Sequence, residues 1–561
     1  MRAIAGALVV LAAAALFFTL PPAPRRAAPS GPASSLDRPA YVARGVYHVH
    51  TDRSDGSGTV DEVAAAAAEA GVQFVIFADH GDGTRSPLPP SYRAGVLCID
   101  GVEISTDSGH YVALGLPPAP YRLAGRARDV IEDVHRFGGF GFAAHPDSLK
   151  PDLQWRDWEA HLDGIEWLNL DSEWRDETGW RLARALLHYP LRPVPAIASL
   201  VGEGGGMVSR WAELARVRRT VGLAAVDAHA RFGSEGAFPA RVRLEAPGYA
   251  PTLATMQIGV ELEAPLTGSA ADDGARVLQA LREGRVFSVV TGWAEWPRVS
   301  FTARRGSQQA RMGGWLGGEG SVAFVAAVDA PAGFRVRLLC DGRPVGEGDA
   351  SLVLRGNVPA DTASSCQLVA GWMRDGRFFH WLVTNPIYLR ARDPEPAAPD
   401  PGIDTAASPI GSDPASWHVE HDPASTGEVG PGQAPGSIRM TYRLAAGARE
   451  SQYIAFVTED VAGLADARAI RITAAADREM RVSVQLRDPS DGGDGQRWIR
   501  SIVLAPERRT VTIPIHAFRS VGEAAPAPSL DRIHAILLVV DTVNTPPGRA
   551  GTIELEALAA H

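Results

Sequence analysis

Residues 45–50 have the sequence GVYHVH, and this stretch decides how the first half of the chain is interpreted. β-Branched and aromatic residues in such a run are typical of a strand. Side chains two positions apart on a strand point to the same side, so the pattern predicts that His48 and His50 present two imidazoles to one place. An isolated pair of this kind is weak evidence for a metal site. Further metal-ligating residues elsewhere in the sequence are needed to support one.

Helical and strand patterns alternate after this first strand. Thr59 and Glu62 form a capping box that predicts the start of a helix, and Gly71 predicts its end. This alternation continues over about 41–297 and is typical of an α/β fold built around a parallel sheet or barrel. Later buried strands are predicted in QFVIFAD (73–79), FGFAAHP (140–146) and VGLAAVDAH (221–229).

Histidines and carboxylates recur at or just beyond the C-terminal ends of these apolar strands, where barrel enzymes assemble their sites. So many of them at one edge, with few cations nearby, would be costly unless metal ions neutralised the cluster. The sequence therefore predicts a metal centre formed by His48, His50, Asp55, His80, Glu103, His110, His145, Asp227 and His229.

The order of these motifs, HxH, SDG, DH, E, H, H and DxH, resembles that of the polymerase-and-histidinol-phosphatase (PHP) superfamily of metal-dependent phosphoesterases. The resemblance covers about 41–297 and implies a distorted (β/α)7 barrel with two or three divalent ions, Zn, Mn or Fe, at the strand C-termini. Asp52 is the alternative to Asp55, which the SDG context favours. The implied ligand sets are His48, His50, Glu103 and Asp227 for one ion, Asp55, His80 and His229 for a second, and Glu103, His110 and His145 for a third.

Such a centre implies hydrolysis, because divalent ions lower the pKa of a bound water and make a metal-activated hydroxide available as nucleophile. A phosphate substrate would also favour a cationic side chain in addition to the metal ions. Lys150 and Arg175 are the candidates for substrate binding, although each is more typical of a solvated surface. Glu166 and Asn169 in GIEWLNL are candidates to support the ligands. The hydroxide would be held by His48, His50, Asp55, His80, Glu103, Asp227 and His229.

The order of modules also resembles the exported, carbaryl-hydrolase-like branch of that superfamily, with LREGR at 281–285 and a TNPIYL strand at 384–389. Two types of hydrolysed bond therefore remain as alternatives. The first is a phosphoester in a small phosphomonoester or nucleotide, and the second is a carbamate, amide or carboxylic ester. A third alternative is a non-catalytic protein that binds cell wall or glycan, which the complete set of predicted ligands disfavours.

Two all-β sandwich domains are predicted after the barrel. The first covers 298–390, a proline-rich linker follows over 391–414, and 415–561 resembles a galactose-binding-like jelly roll. Cys340 and Cys366 lie in two predicted strands, where they either pair or remain buried thiols. The aromatic residues that could form a sugar platform or pack in the core are Trp417, Tyr442, Tyr453 and Trp498.

The N-terminal residues predict export. Arg2 precedes an uncharged apolar run over 3–20 and a Pro/Ala-rich spacer over 21–40, the order found in secretory signal peptides. The run approaches the roughly 20 residues that span a bilayer, so both cleavage and retention as an anchor stay open. We expect a periplasmic or secreted protein that acts on a small molecule, touches membrane only through this run, and can contact glycan through 415–561. A net charge of −10 argues against nucleic acid as a partner.

Overall fold

The computed structural model describes residues 17, 19–27, 41–230, 247–349, 353–358, 364–390, 407–447, 452–489, 495–522 and 527–561. Two compact units divide the chain. One runs to Asp393 without Pro118–Gly125, and the other comprises Pro118–Gly125 and Pro394–His561. Most of the predicted export segment, spacer and linker lies outside the described residues. Among the described residues, no helix is long and apolar enough to cross a membrane.

The first unit is a strand-rich α/β structure. Its strands are β1 (Tyr41–Val49), β2 (Phe74–Phe77), β3 (Ser91–Arg93), β4 (Val96–Ile99), β5 (Gly101–Thr106), β6 (Gly109–Leu114), β7 (Phe140–Ala143), β8 (Gly164–Asn169), β9 (Val221–Ala225), β10 (Gln257–Leu262), β11 (Val286–Val289), β12 (Val299–Arg305), β13 (Gln308–Arg311), β14 (Val322–Val328), β15 (Arg335–Cys340), β16 (Arg343–Asp349), β17 (Val353–Val358), β18 (Ser365–Arg374), β19 (Arg377–Thr384) and β20 (Ile387–Tyr388). Its helices are α1 (Val60–Glu69), α2 (Ala127–Arg136), α3 (Leu170–Arg175), α4 (Gly179–His188), α5 (Pro193–Ala198), α6 (Gly205–Val217), α7 (Tyr249–Thr255) and α8 (Ala270–Arg282).

Helix α1 begins where the sequence predicts. The Thr59 hydroxyl accepts the Glu62 N–H at 3.2 Å, and the Glu62 carboxylate accepts the Thr59 N–H at 2.8 Å, so the capping box is present. Val63 and Ala67 face the core. The chain leaves the helix at Gly71, whose φ of 73° is a conformation that glycine adopts without strain.

Two sheets surround the interior of the first unit. One has the order β16-β15-β18-β19-β11-β10-β1-β2-β4-β3, with β20 paired to β18, and the other has the order β5-β6-β7-β8-β9. Single bridges join them, one between His80 and Glu103 and one between Val49 and Ala228. Strands β1, β2, β6, β7 and β9 therefore contribute to a common core, which contains Tyr47, Phe74, Val112, Phe142 and Leu223.

The mixed α/β class is confirmed, and the regular alternation of a (β/α)7 barrel is interrupted. Strands β5, β6 and β7 pair antiparallel in sequence order, whereas β1–β2 and β7–β8–β9 pair parallel. No described helix lies between β5 and β6, because a tight turn at Gly109 joins them directly. The distorted barrel as such stays a prediction.

The predicted boundary at 297–298 falls inside one unit. Strand β19 pairs antiparallel with β11, so strands of the predicted sandwich extend the sheet that contains β1. Asn385, in the TNPIYL stretch, strengthens this junction. Its side chain accepts the Gly222 N–H at 3.0 Å and donates to the carbonyls of Gly222 and Val286, each at 2.9 Å. This motif therefore has a structural role.

The two cysteines of the predicted sandwich pair with each other. Cys340 in β15 and Cys366 in β18 lie directly opposite in the antiparallel register and form a disulfide. The remaining four strands of this region form a separate sheet of order β13-β12-β14-β17. Cys98 is buried as a free thiol.

The second unit is all-β, as predicted. Its two sheets have the orders β23-β24-β32-β26-β29, with β21 paired to β32, and β22-β25-β31-β27-β28-β30. Trp417, Tyr442 and Trp498 are buried in the core between them, and Tyr453 is 38% exposed. The strands are β21 (Ser408–Pro409), β22 (Trp417–His421), β23 (Thr426–Pro431), β24 (Ile438–Arg443), β25 (Tyr453–Thr458), β26 (Ala469–Ala476), β27 (Met480–Asp488), β28 (Gln496–Leu504), β29 (Arg509–Pro514), β30 (Arg519–Ser520), β31 (Ala535–Asp541) and β32 (Ala550–Ala560).

Candidate metal centre

A bulge at the end of β1 places the first two histidines. The pairing of β1 with β2 shifts register between Tyr47 and Val49, and His48 has a φ of 68°. The Nε2 atoms of His48 and His50 nevertheless lie only 3.0 Å apart, and both rings are buried. The two imidazoles meet, as expected. The expected reason, regular alternation along the strand, was wrong, because a bulge changes the direction of His48.

Glu103 from β5 and Asp227 just after β9 complete a compact buried group with these two histidines. Five of the six distances among His48 Nε2, His50 Nε2, Glu103 Oε2 and Asp227 Oδ1 lie between 3.0 and 3.4 Å. A tetrahedral ion with ligand distances of about 2.0–2.1 Å would have its donor atoms about 3.3 Å apart. The spacing and the mixed imidazole and carboxylate donors therefore suit a divalent metal ion. We call these four residues the buried donor group.

A second group lies nearer solvent and consists of Asp55, His80 and His229. Asp55 Oδ2 lies 3.2 Å from His229 Nε2 and 3.8 Å from His80 Nε2, and Asp55 Oδ1 lies 3.3 Å from His50 Nδ1. The Asp55 side chain is 45% exposed. We call these three residues the exposed donor group. Asp52, the alternative to Asp55, is exposed and belongs to none of the ligand clusters formed by the described residues.

Glu103 connects the remaining histidines to both groups. Its Oε1 atom lies 2.8 Å from His110 Nδ1 and 2.9 Å from His145 Nε2, and its Oε2 atom lies 3.3 Å from His80 Nδ1. One buried carboxylate therefore contacts five imidazoles, counting His48 and His50. The structure thus brings all nine predicted residues into one cluster, with Glu103 at its centre.

The charges of this cluster depend on one another. Burial alone would raise the pKa of Glu103, but the charge of His48 and hydrogen bonds from neighbouring histidines hold that pKa well below its usual range. Burial would lower the pKa of His50, whereas hydrogen bonds to Asp227 and Glu103 raise it to about 10. Burial would also lower the pKa of His145, but the hydrogen bond to Glu103 outweighs burial and raises that pKa to about 9. Protons on the imidazoles thus balance the carboxylates, and a bound metal would replace them.

Strained backbone accompanies three of the predicted ligands. His48, His145 and Asp227 have φ values of 68°, 30° and 46°, in the region that residues with a side chain rarely adopt. Each such residue costs roughly 1–3 kcal/mol and persists where the surrounding structure fixes it. Such outliers are concentrated at functional sites, which is consistent with their position here.

Glu166 on β8 holds the buried donor group in place. Its Oε1 atom lies 2.6 Å from His48 Nδ1, and its Oε2 atom accepts the His145 N–H and the Asn169 side-chain N–H, each at 2.7 Å. Asn169 also donates to Asp227 Oδ2 at 3.3 Å. A carboxylate on the far nitrogen of an imidazole fixes its tautomer and leaves the other nitrogen for a metal. Both residues have the supporting position that the sequence suggested.

Asp79 is a further buried carboxylate whose role the sequence did not indicate, although it belongs to the DH motif. It accepts the Thr51 N–H and the Thr51 hydroxyl, each at 2.8 Å, and the Ser54 hydroxyl at 2.7 Å. These bonds hold the loop between His50 and Asp55. The sequence signal for this supporting role is the position of Asp79 directly before His80.

Tyr249 on α7 also supports this loop. Its hydroxyl donates to the His50 carbonyl at 2.9 Å and accepts the Ser57 N–H at 3.1 Å and the Gly58 N–H at 3.2 Å. Nothing in the local sequence connects this tyrosine with residues almost 200 positions away, so only the fold reveals it.

The two predicted substrate contacts lie on the surface. Lys150 is exposed. Arg175 donates to Asp171 on its own helix at 2.5 Å and lies over the Trp174 ring. Among the described residues, neither side chain forms a hydrogen bond or ion pair with the nine predicted ligands. Their role in substrate binding stays a prediction.

The sequence comparisons give one partial relative. No protein-family model matches the chain. Over 96 residues the chain is 31% identical to phosphoribosyl 1,2-cyclic phosphate 1,2-diphosphodiesterase of Eggerthella lenta. The match covers 16% of this chain and 37% of that enzyme, so this chain spans little more than a third of its relative's length.

Solved structures match parts of the chain at low identity. A two-domain protein from Bacteroides vulgatus that contains a predicted PHP-like metal-dependent phosphoesterase matches 65% of this chain and 100% of its own, at 12% identity and a TM-score of 0.28. A family 11 carbohydrate-binding module of the Clostridium thermocellum cellulase Lic26A-Cel5E matches 28% of this chain and 92% of its own, at 16% identity and a TM-score of 0.22. Neither resemblance bears on the chemistry of the site.

Proposed function

We propose that this protein is a metal-dependent hydrolase of the PHP phosphoesterase type that binds two or three divalent ions. The observation that carries the proposal is the buried donor group, in which five of the six distances between donor atoms lie between 3.0 and 3.4 Å. The name of the Eggerthella lenta relative describes a phosphodiesterase, which favours a phosphoester over the carbamate, amide or carboxylic ester alternative.

The nine clustered residues would hold the ions in the sets that the sequence implies. Imidazole and carboxylate donors suit Zn, Mn or Fe. Bound divalent ions would supply a water of lowered pKa and would stabilise negative charge on phosphoryl oxygens. Glu166 orients the imidazole of His48, Asn169 holds Asp227, and Tyr249 fixes the loop that carries Asp55.

Substrate would approach from the side of the exposed donor group. A cavity of about 110 Å³ lies beside His80, and its walls include Val102, Leu116 and the arginine Arg85. We propose that it receives a small phosphomonoester or the phosphate end of a nucleotide. Arg85 lines this cavity, so we propose that it binds substrate in addition to the predicted Lys150 and Arg175.

Export stays part of the proposal. The disulfide between Cys340 and Cys366 favours an oxidising compartment such as the periplasm or the extracellular space. Glycan contact through the second unit would depend mainly on Tyr453, because Trp417, Tyr442 and Trp498 are buried. A platform of several exposed aromatic rings is therefore not available from the four predicted residues.

The test measures turnover by the purified full chain loaded with Mn or Zn, with para-nitrophenyl phosphate and para-nitrophenyl acetate as substrates. We expect metal-dependent release of nitrophenol from the phosphate. Turnover of the acetate alone would instead favour the alternative function, hydrolysis of a carbamate, amide or carboxylic ester. A metal-loaded protein that cleaved neither substrate nor bis-para-nitrophenyl phosphate would contradict the proposal.

A further inference from the structure

Arg53 lies in the loop between His50 and Asp55 and forms an ion pair with Asp100, although neither partner is a predicted ligand. Its Nη1 atom donates to Asp100 Oδ1 at 2.8 Å, and its Nη2 atom donates to Asp100 Oδ2 at 2.9 Å. The Arg53 side chain is 18% exposed and the Asp100 side chain is 2% exposed. Two parallel hydrogen bonds of this kind fix the orientation of both side chains as well as their distance. We call these two residues the Arg53–Asp100 pair.

The pair also holds the loop that follows His80. Asp100 Oδ2 accepts the Leu88 N–H at 2.7 Å, and the Arg85 side chain donates to the Arg53 carbonyl at 3.4 Å. Both Asp100 and Arg85 line the cavity beside His80. The pair therefore connects this wall of the cavity to the loop that carries a ligand of the exposed donor group.

The pair is anchored to the strand that carries the central carboxylate of the site. Asp100 directly precedes β5, which contains Glu103 and pairs with β6 along its whole length. Arg53 Nη1 also lies 3.7 Å from Asp79 Oδ2, the carboxylate that accepts the Ser54 hydroxyl at 2.7 Å. Because β5 is fixed by its own ladder, a change in the pair should displace the loop of Arg53 and leave Glu103 in place.

Stability alone is a poor explanation for the pair. Charged groups lose hydration when they are buried, and a buried ion pair often stabilises a fold no better than apolar side chains of similar size. An ion pair with two parallel hydrogen bonds does define the distance between the segments that carry it. Here those segments are a loop of the metal centre and a wall of the cavity next to it.

We propose that Arg53 and Asp100 are positioning residues that set the distance between Asp55 in the exposed donor group and Arg85 in the cavity wall. A phosphate monoester held at the exposed donor group would then present its remaining oxygens to the Arg85 guanidinium. The pair would thereby determine the affinity for the phosphate part of the substrate and for the ion of the exposed donor group. This inference rests on the proposed function, since it assigns the pair a role in the same site.

The experiment compares the native full chain with Arg53→Lys, Asp100→Asn and the variant that carries both substitutions. Arg53→Lys keeps the positive charge and loses the planar fork that matches a carboxylate. Titration with Mn in competition with a metal-binding dye measures the affinity for each ion, and assays with para-nitrophenyl phosphate measure KM and kcat. The matched control is Arg93→Lys, which alters an exposed ion pair of 2.6 Å between Arg93 and Asp61 in the same unit.

We expect Arg53→Lys to weaken the binding of one ion and to raise KM, each by about 10-fold, and to leave the affinity for the other ion unchanged. The value of kcat should change by less than about threefold, because saturating metal and substrate would restore the positions of both loops. Asp100→Asn should give the same pattern. The double variant should be no worse than the more impaired single variant, because the two residues act as a unit. Arg93→Lys should change none of these quantities.

Unchanged KM and unchanged metal affinities in Arg53→Lys would overturn the inference, even if this variant unfolded at a lower temperature, since the pair would then only stabilise the fold. Additive effects of the two substitutions would also overturn it. These results are distinct from a failure of the proposed function. A native protein that binds metal and does not cleave the phosphate would contradict the proposed function alone, and weaker binding of one ion by Arg53→Lys would still support the positioning role.

Discussion

The buried and exposed donor groups share ligand chemistry and differ in their surroundings. His48, His50 and Glu103 are almost completely inaccessible, and Glu166 and Asn169 hold their neighbours by hydrogen bonds. Asp55 in the exposed group is 45% exposed and lies at distances of up to 3.8 Å from its partners. The fold therefore fixes the buried donor group on all sides, whereas the exposed donor group is open to solvent.

The largest effect should follow from Glu103→Gln, because this carboxylate contacts five histidines, which include members of both groups. We expect loss of all bound metal and a fall in turnover of at least about 10³-fold. Elemental analysis and phosphatase assays measure the two effects. Retention of full metal content in the folded variant would show that Glu103 is not a shared ligand. Glu263→Gln, at an exposed glutamate, is the control and should change neither quantity.

Asp55→Asn should separate the two groups. Asp55 contacts His229 on the exposed side and touches the buried donor group only at His50 Nδ1. We therefore expect loss of one ion, retention of the ion in the buried group, and a smaller fall in turnover, on the order of 10²-fold. Metal stoichiometry by elemental analysis distinguishes this from complete loss. If Asp55→Asn emptied the whole centre, the two groups would not be separable sites.

Glu166→Gln should weaken the buried group without removing a ligand. Loss of the carboxylate that holds His48 Nδ1 should reduce metal affinity about 10- to 100-fold, because the imidazole loses its fixed tautomer. Competition with a metal-binding dye measures the affinity. The exposed group should keep its own affinity, and an equal loss at both positions would contradict a local role for Glu166.

The affinity of the native protein for metal should depend on pH. With no metal bound, His50 has a pKa of about 10 and His145 a pKa of about 9, so both carry protons at pH 7 that a metal must displace. Affinity should rise by about tenfold per pH unit for each proton displaced, and flatten above those pKa values. Calorimetry in buffers of different ionisation enthalpy counts the released protons. Binding without proton release at pH 7 would contradict the charge balance described for the cluster.

The sequence predicted the parts of the site that short-range patterns determine. Apolar runs that end in His, Asp or Glu located the nine clustered residues, and the capping box located α1. It did not predict the bulge at His48, because a bulge is defined by pairing with β2 and not by the HxH motif itself. Tyr249 was missed for a similar reason, since its contacts cross nearly 200 residues.

Long-range pairing also explains the differences in the fold. Period-two alternation identified the strands after residue 298, but it does not state which sheet a strand joins, and β19 extends the sheet of β1 through β11. Alternation likewise marks two faces of a strand without showing which is buried. Trp417, Tyr442 and Trp498 therefore could equally be surface or core before the structure placed them in the core.

The metal stoichiometry of the full chain tests the central claim most directly. Purified protein would be stripped with a chelator, dialysed against Mn or Zn, and analysed for bound metal beside Glu103→Gln. We expect two or three equivalents in the native protein and almost none in the variant. If the folded native protein took up no metal at any concentration that saturates ordinary metalloenzymes, the cluster around Glu103 would not be a metal centre.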